Sequence, residues 1–217
     1  ENSIYAYKNQ ICEGFITVKG GHRVGLTGSC VIENGKIINV KYISSLNFRI
    51  AREILNCSTK VLREIIDIQN KTIFNTIIVA PPGKGKTTVL RDVIRRLSDG
   101  IEEIHMQGMN CGLVDERGEI AACYKGVPQN DVGLRTDVIE NVDKYSGIHM
   151  LIRTMAPEII ACDEIGSKED VKAIQYALFS GVRGIFTMHG KNVEDIKNNE
   201  EVYKLIENRQ IQKIVFL

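Results

Sequence analysis

The sequence predicts an α/β protein in which a mainly parallel sheet is flanked by helices and preceded by a small α+β domain. Three observations carry this. Beyond Asn70, short apolar runs alternate with amphipathic segments, the order that feeds a parallel sheet covered by helices. One run, Ile77-Ile78-Val79, opens directly into the turn Ala80-Pro81-Pro82-Gly83-Lys84-Gly85-Lys86-Thr87. Another, Ile159-Ile160-Ala161-Cys162, ends in the acid pair Asp163-Glu164, as a buried parallel strand does when it delivers side chains at its C-terminal edge.

Residues 1–60 read as a partial N-terminal α+β domain with its linker, and 61–217 as the main domain. In the first, Phe15-Ile16-Thr17-Val18 is a strand candidate closed by the Gly20-Gly21 turn. Val31-Ile32 and Ile37-Ile38 flank Asn34-Gly35, the favoured centre of a two-residue hairpin, because both of its positions need φ > 0. Residues 48–55 read as a helix, with Ile50 and Ile54 four apart. Residues 56–60 are polar and read as linker, and 61–68 as a short helix. In the main domain strands are expected over 73–80, 112–114, 159–163, 184–188 and 213–217. Helices are expected over 86–97, 144–154 and 168–180, the last with Val171, Ile174 and Leu178 on one stripe. The polar stretch 126–141 reads as a loop with a function, since long structureless loops are otherwise uncommon. The chain starts on Glu1 and stops on Ile214-Val215-Phe216-Leu217, so both ends read as cut from a longer protein, with the N-terminal domain truncated.

Composition narrows the function classes. With 217 residues the chain can bury a core without disulfide or metal staples. The longest unbroken apolar run is Ile120-Ala121-Ala122-Cys123-Tyr124, far short of the roughly 20 residues of a membrane span. Twenty-eight Lys and Arg against 27 Asp and Glu argue against a basic nucleic-acid coat. None of the six cysteines forms a C-x-x-C pair, which argues against a zinc ribbon or a thioredoxin-type site; they read as free thiols of a reducing compartment.

The turn after Ile77-Ile78-Val79 has the strand–loop–helix context of a phosphate loop, and so identifies a P-loop NTPase. Pro82, Gly83, Lys84 and Gly85 form the loop whose backbone N–H groups can turn inward around phosphate oxygens, with Lys86, Thr87 and Thr88 starting the helix. Lys86 can reach the β- and γ-phosphates of ATP, and the Thr87 hydroxyl can ligate Mg²⁺. Ala80 stands where such loops usually have their first glycine, which fits if that residue keeps an ordinary strand-end conformation. Asp163 is the candidate for the Mg²⁺ side and Glu164 for polarising the attacking water, since neighbours on a strand face opposite ways.

Two further strand ends are candidates. Gly112-Leu113-Val114 runs into Asp115-Glu116-Arg117, which reads either as a charged strand end or as a second acidic lip with Glu116 near the metal or water. Thr187-Met188-His189-Gly190 follows Gly184-Ile185-Phe186, and His189 there can sense the γ-phosphate. His22, His105 and His149 read as structural. For an arginine acting on transition-state charge, Arg23, Arg49, Arg52, Arg135 and Arg153 all remain candidates.

Longer stretches resemble a known family. Val114-Asp115-Glu116-Arg117-Gly118-Glu119-Ile120-Ala121, Gly126-Val127-Pro128-Gln129-Asn130-Asp131-Val132-Gly133 and Arg153-Thr154-Met155-Ala156-Pro157-Glu158 resemble the stage III sporulation protein AA family. So do Asp163-Glu164-Ile165-Gly166 and, in the front segment, Gly20-Gly21-His22-Arg23-Val24-Gly25. That family is similar in turn to the ATPases of type II and type IV secretion. The resemblance implies a RecA-like ATPase working as a homo-hexameric ring in the mother-cell cytoplasm. There it would act against membrane-embedded sporulation channel proteins between mother cell and forespore. The expected function is therefore an Mg-dependent, ATP-hydrolysing motor, with Lys86, Glu164, His189 and Glu116 as its reacting groups. A nucleic-acid-dependent RecA-like ATPase is a second reading, opposed by the balanced charge. A ring scaffold that binds ATP without turnover is a third, opposed by the Asp163-Glu164 pair.

Overall fold

The computed structural model describes residues 7–217, which divide into two compact units, residues up to Glu53 with Ala122–Asn130, and Ile54–Ala121 with Asp131–Leu217. Residues 56–60, read from sequence as linker, belong to the second unit, which starts at Ile54, and 122–130 belong to the first.

The first unit carries helix α1 (Lys8–Cys12) and a three-stranded antiparallel sheet in the order β1 (Phe15–Val18), β2 (His22–Glu33), β3 (Lys36–Arg49). Asn34 and Gly35 both have positive φ, as the hairpin reading requires. Along the β2–β3 ribbon Val24 opposes Phe48, Leu26 opposes Leu46, Cys30 opposes Val40 and, after a register shift between Val31 and Ile32, Ile32 opposes Ile37, while Arg23–Arg49, Thr27–Ser45 and Ser29–Lys41 are polar pairs between them. The register slips between Thr27 and Ser29, where Gly28 lies so close to β3 that a Cβ would stand 2.6 Å from the Lys41 carbonyl oxygen. The helix expected over 48–55 does not form. Phe48 and Arg49 are captured by ladder pairing to Val24 and Arg23, and Ile50 and Ile54 are 63% and 61% exposed. A stripe at helical spacing with nothing to pack on gains no burial energy.

The second unit begins with α2 (Thr59–Ile65), β4 (Ile66–Asp67), β5 (Thr72–Ile73), β6 (Thr76–Ala80) and α3 (Lys86–Asp99). Then come β7 (Gly100–Ile101), a 3₁₀ turn (Glu102–Ile104), β8 (Met106–Gln107), β9 (Cys111–Asp115) and β10 (Thr136–Glu140). It ends with α4 (Lys144–Met155), β11 (Ile159–Cys162), α5 (Lys168–Phe179), β12 (Arg183–His189), α6 (Val193–Lys197), α7 (Glu200–Glu207) and β13 (Lys213–Phe216). Six strands form one sheet in the order β10-β9-β11-β12-β6-β13, with every pairing parallel. Every residue of β6, β9 and β11 is buried, which is why these strands read as unbroken apolar runs. Helices α4 and α5 close over the sheet through Ile148, Leu151, Val171 and Ile174, packed with Ile160 and Phe186. Each such side chain is worth about 1.5–3 kcal/mol when removed from water.

Several expectations need correction. The run over 73–80 splits at Asn75, whose buried amide donates to the Gln210 carbonyl (2.9 Å) and accepts from the Gly184 N–H (3.1 Å). The helix over 61–68 stops at Ile65, because Ile66–Asp67 pairs with Thr72–Ile73. The loop over 126–141 ends in the edge strand β10; it is only half-buried and carries Thr136, Asp137 and Glu140, so its sequence looks like loop. Helices α6 and α7 lie in a segment not assigned from sequence. Their signals were the caps: Asn192 accepts from the Asp195 N–H and Asn199 from the Val202 N–H.

Candidate nucleotide site

All four strands that bear candidate residues end at one edge of the sheet, at Ala80, Asp115, Cys162 and His189. Ala80 is the last residue of β6 and opposes His189 of β12, so it keeps the strand-end conformation that lets alanine stand there. The loop turns at Gly83 (φ +76) and Gly85 (φ +82). A Cβ at either would meet nothing within 4 Å, so these glycines serve the backbone angle rather than space. Gly85 is the N-cap of α3 and supplies no side-chain cap, so the first N–H groups of the helix keep no side-chain partner at its N-terminus.

Lys86 is buried, and its Nζ donates to the Ala80 carbonyl (3.1 Å), to the Pro81 carbonyl (3.5 Å) and to His189 Nδ1 (2.9 Å). An ammonium has only donors, so Nδ1 accepts and the ring proton sits on Nε2, which donates to Glu164 Oε1 (2.8 Å). The second Glu164 oxygen is ion-paired with Arg117 Nη1. Lys86, His189, Glu164 and Arg117 thus form one polar chain. It exists because β12 lies between β6 and β11, placing the His189 ring between the loop lysine and the carboxylate.

Glu164 adopts a left-handed backbone (φ +53), which costs a side-chain-bearing residue about 1 kcal/mol or more. Thr187, fully buried on β12, holds it there. Its Oγ1 accepts from the Glu164 N–H (2.9 Å) and donates to Asp163 Oδ1, while its carbonyl accepts from the Ile165 N–H (2.8 Å). The other Asp163 oxygen accepts from the Thr87 hydroxyl. A carboxylate and a hydroxyl in contact beside a phosphate loop are hard oxygen donors of the kind Mg²⁺ takes when phosphates and waters complete its shell.

Asp115 and Glu116 end β9 with different fates. Asp115 is 2% exposed and accepts from the backbone N–H groups of Glu119 (2.9 Å), Ile120 (3.1 Å) and Ala121 (2.9 Å), which fixes the loop that carries Arg117. Glu116 is ion-paired with Lys144, the first residue of α4. Burial works against the Lys144 charge, but the Glu116 hydrogen bond and the Asp170 carboxylate outweigh it and hold the ammonium above its ordinary range. Glu116, Arg117, Lys144, Asp163 and Glu164 line one small cleft.

Pro82, Gly83 and Lys84 are exposed at the loop tip, and Thr88 is half-buried behind it. Of the arginines weighed from sequence, Arg135 is tied to α3 through Ser98, with its N–H on Ser98 Oγ (2.6 Å) and its Nη1 on the Ser98 carbonyl (3.3 Å). Arg153 is exposed on α4, and Arg23 lies 3.9 Å over the Phe15 ring. Sequence reasoning missed Arg117 and Lys144. Arg117 had a local signal, following two acids at a strand end; Lys144 had none, because its partner is 28 residues away.

The family model described as "Sporulation stage III, protein AA" matches residues 1–217. The chain is 40% identical over 215 residues to "Stage III sporulation protein AA" of Bacillus subtilis (strain 168), covering 99% of this chain and 68% of that protein. Among solved structures it is similar in fold to the Legionella pneumophila ATPase DotB (TM-score 0.53, 15% identity, 86% of this chain and 50% of that one). It is likewise similar to the pilus retraction motor PilT with bound ADP (TM-score 0.55, 16% identity, 90% and 54%). The chain thus spans about half the length of these two proteins and shares their fold. With its whole length matched, the chain belongs to the stage III sporulation protein AA family.

Proposed function

We propose that this chain is an Mg-dependent ATPase whose turnover drives a ring motor in endospore formation. The observation that supports this best is the chain Lys86–His189–Glu164, which joins the loop lysine to a carboxylate beside the metal-type pair Thr87 and Asp163. ATP is the nucleotide this loop would take, as Pro82 to Thr88 wrap its phosphates. Lys86 exchanges the Ala80 and Pro81 carbonyls for phosphate oxygens, a charge-assisted bond replacing neutral ones. Thr87 and Asp163 are the residues that would hold Mg²⁺, which when bound supplies Lewis-acid neutralisation of the developing phosphate charge. Glu164 accepts a hydrogen bond from the attacking water and orients it in line, and Glu116 is a second carboxylate at the same cleft. His189 couples the two ends, since a Lys86 that leaves Nδ1 changes what holds Glu164.

Beyond the single chain, the proposal is a homo-hexameric ring that completes its sites with a neighbour's arginine. It would work in the mother-cell cytoplasm on membrane-embedded channel proteins. The family membership, and the likeness in fold to DotB and to the motor PilT, support this part. Among the described residues no helix is long and apolar enough to cross a membrane.

Steady-state ATP turnover against protein concentration tests the reading. Specific activity should climb with concentration. Lys86→Ala should lose nucleotide binding, and Glu164→Gln should bind ATP without turning it over. Parental turnover in Glu164→Gln would sink the assignment of the water-orienting group.

A further inference from the structure

We infer that Lys144 is a positioning residue for ATP turnover, acting by fixing the Glu116 carboxylate at the cleft. This rests on the reading that Glu116 serves the metal or the attacking water. Lys144 occupies a place that disfavours it twice. It stands in the first turn of α4, where the helix dipole opposes a cation. It is also only 9% exposed, so its charge is largely stripped of water. Helix stability therefore does not account for a lysine here; its partners do.

Those partners are set by rigid elements. Asp143 caps α4 by accepting from the Ser146 N–H (2.9 Å), which fixes the backbone that carries Lys144. Asp170 belongs to the capping box of α5, and its Oδ2 accepts from the N–H groups of Gly166 (3.0 Å) and Ser167 (2.9 Å). That leaves Asp170 Oδ1 to stand 3.9 Å from Lys144 Nζ. The ammonium is thus held from two helix starts and directed at Glu116. Glu116 follows the last residue of β9, and its side chain is 41% exposed, so without a partner its carboxylate would sweep through solvent. Lys144 converts that mobile group into one fixed in the same cleft as Asp163 and Glu164.

The test compares kcat and KM for MgATP in the parent, Lys144→Met, Lys144→Arg, Glu116→Gln and the double variant Glu116→Gln/Lys144→Met. A carboxylate displaced by about 1 Å costs roughly 100-fold, so Lys144→Met should lower kcat by about that factor while KM stays within about twofold. Lys144→Arg, which keeps the charge, should recover at least about tenfold of the loss, and the double variant should be no slower than Glu116→Gln alone. If Lys144→Met fails to fold, Lys144→Gln fills the space without the charge and takes the same comparison. A slow Glu116→Gln beside a Lys144→Met of parental kcat would overturn the positioning role, as would a loss confined to KM or independent, multiplying losses in the double variant. Parental turnover in Glu116→Gln would instead remove the Glu116 reading on which the inference rests.

Discussion

Replacing Asp92 by alanine should destabilise the second unit by about 3–4 kcal/mol, although Asp92 lies outside the cleft. Asp92 sits on α3, the helix that begins at Lys86, and is 3% exposed. Its carboxylate accepts from the Ser58 hydroxyl (2.6 Å), the Ser58 N–H (2.9 Å) and the Asn56 N–H (3.0 Å), and pairs with Arg95 (2.8 Å). Burial alone would raise its pKa, but the Ser58 bonds, Arg95 and the Asn56 N–H together outweigh it and hold the carboxyl below the ordinary range. Asp92→Ala leaves two donors of Ser58, itself fully buried, without an acceptor, at about 1–3 kcal/mol each. The exposed Asn56 N–H finds water and adds little. The total of about 3–4 kcal/mol corresponds to a fall in melting temperature of roughly 10 °C for a unit of this size. Thermal and urea unfolding of parent and variant give the number, and Ser58→Ala/Asp92→Ala should lose less than the sum of the singles by about 1–2 kcal/mol. The sign with pH follows from the lowered folded-state pKa. The Asp92 contribution is complete at neutral pH and is lost as pH falls below about 4 and through the folded value, so the gap between parent and variant should close on acidification. A loss under about 1 kcal/mol at neutral pH would refute the reasoning, because desolvation would then have cancelled the bonds.

Two further outcomes follow from local geometry. Thr187→Val keeps the shape of the buried side chain but removes the hydroxyl that ties Asp163 Oδ1 to the Glu164 N–H; ATP turnover should fall by about 100-fold with nucleotide affinity nearly unchanged, read by kcat and by titration of a fluorescent ATP analogue. Gly28→Ala would bring a Cβ to 2.6 Å from the Lys41 carbonyl and 3.0 Å from that of Tyr42, both backbone atoms of β3, so it should destabilise the first unit by about 2–3 kcal/mol in a thermal melt.

What could be read from the sequence was what is fixed locally. The apolar runs of β6, β9 and β11 stood out because both faces of each strand are buried, and the Asn34-Gly35 turn because two positive φ values demand such residues. The phosphate loop was legible for the same reason, through Gly83 and Gly85. Long-range pairing was not legible. β10 hid in a polar stretch because an edge strand with a half-wet face tolerates Thr136, Asp137 and Glu140. The stripe of Ile50 and Ile54 misled because amphipathic spacing says nothing of whether a surface exists to receive it. At the site, the chemical types of Lys86, Asp163 and Glu164 were readable, but the Arg117 and Lys144 ion pairs, and the ring between Lys86 and Glu164, depend on which strands and helices become neighbours.

Strand order carries more of the mechanism than any one motif. Had β6 and β11 been adjacent, Lys86 and Glu164 could have met directly, and nothing would relate the loop to the carboxylate except their own ion pair. With β12 between them, the connection runs through a neutral imidazole that accepts on one side and donates on the other. Charge is matched along this edge as well: Glu164 has Arg117 and Glu116 has Lys144, while Asp163 is held by two hydroxyls. On the proposed reading, incoming phosphates meet an edge already close to neutral, so Lys86 is the cation they draw, and its nearest tie besides two carbonyls is His189. His189→Ala separates this relay from simple proximity. A methyl group bonds neither Lys86 nor Glu164, so turnover should fall while Lys86-dependent nucleotide binding persists. Equal losses in binding and turnover would mean that His189 merely props the loop.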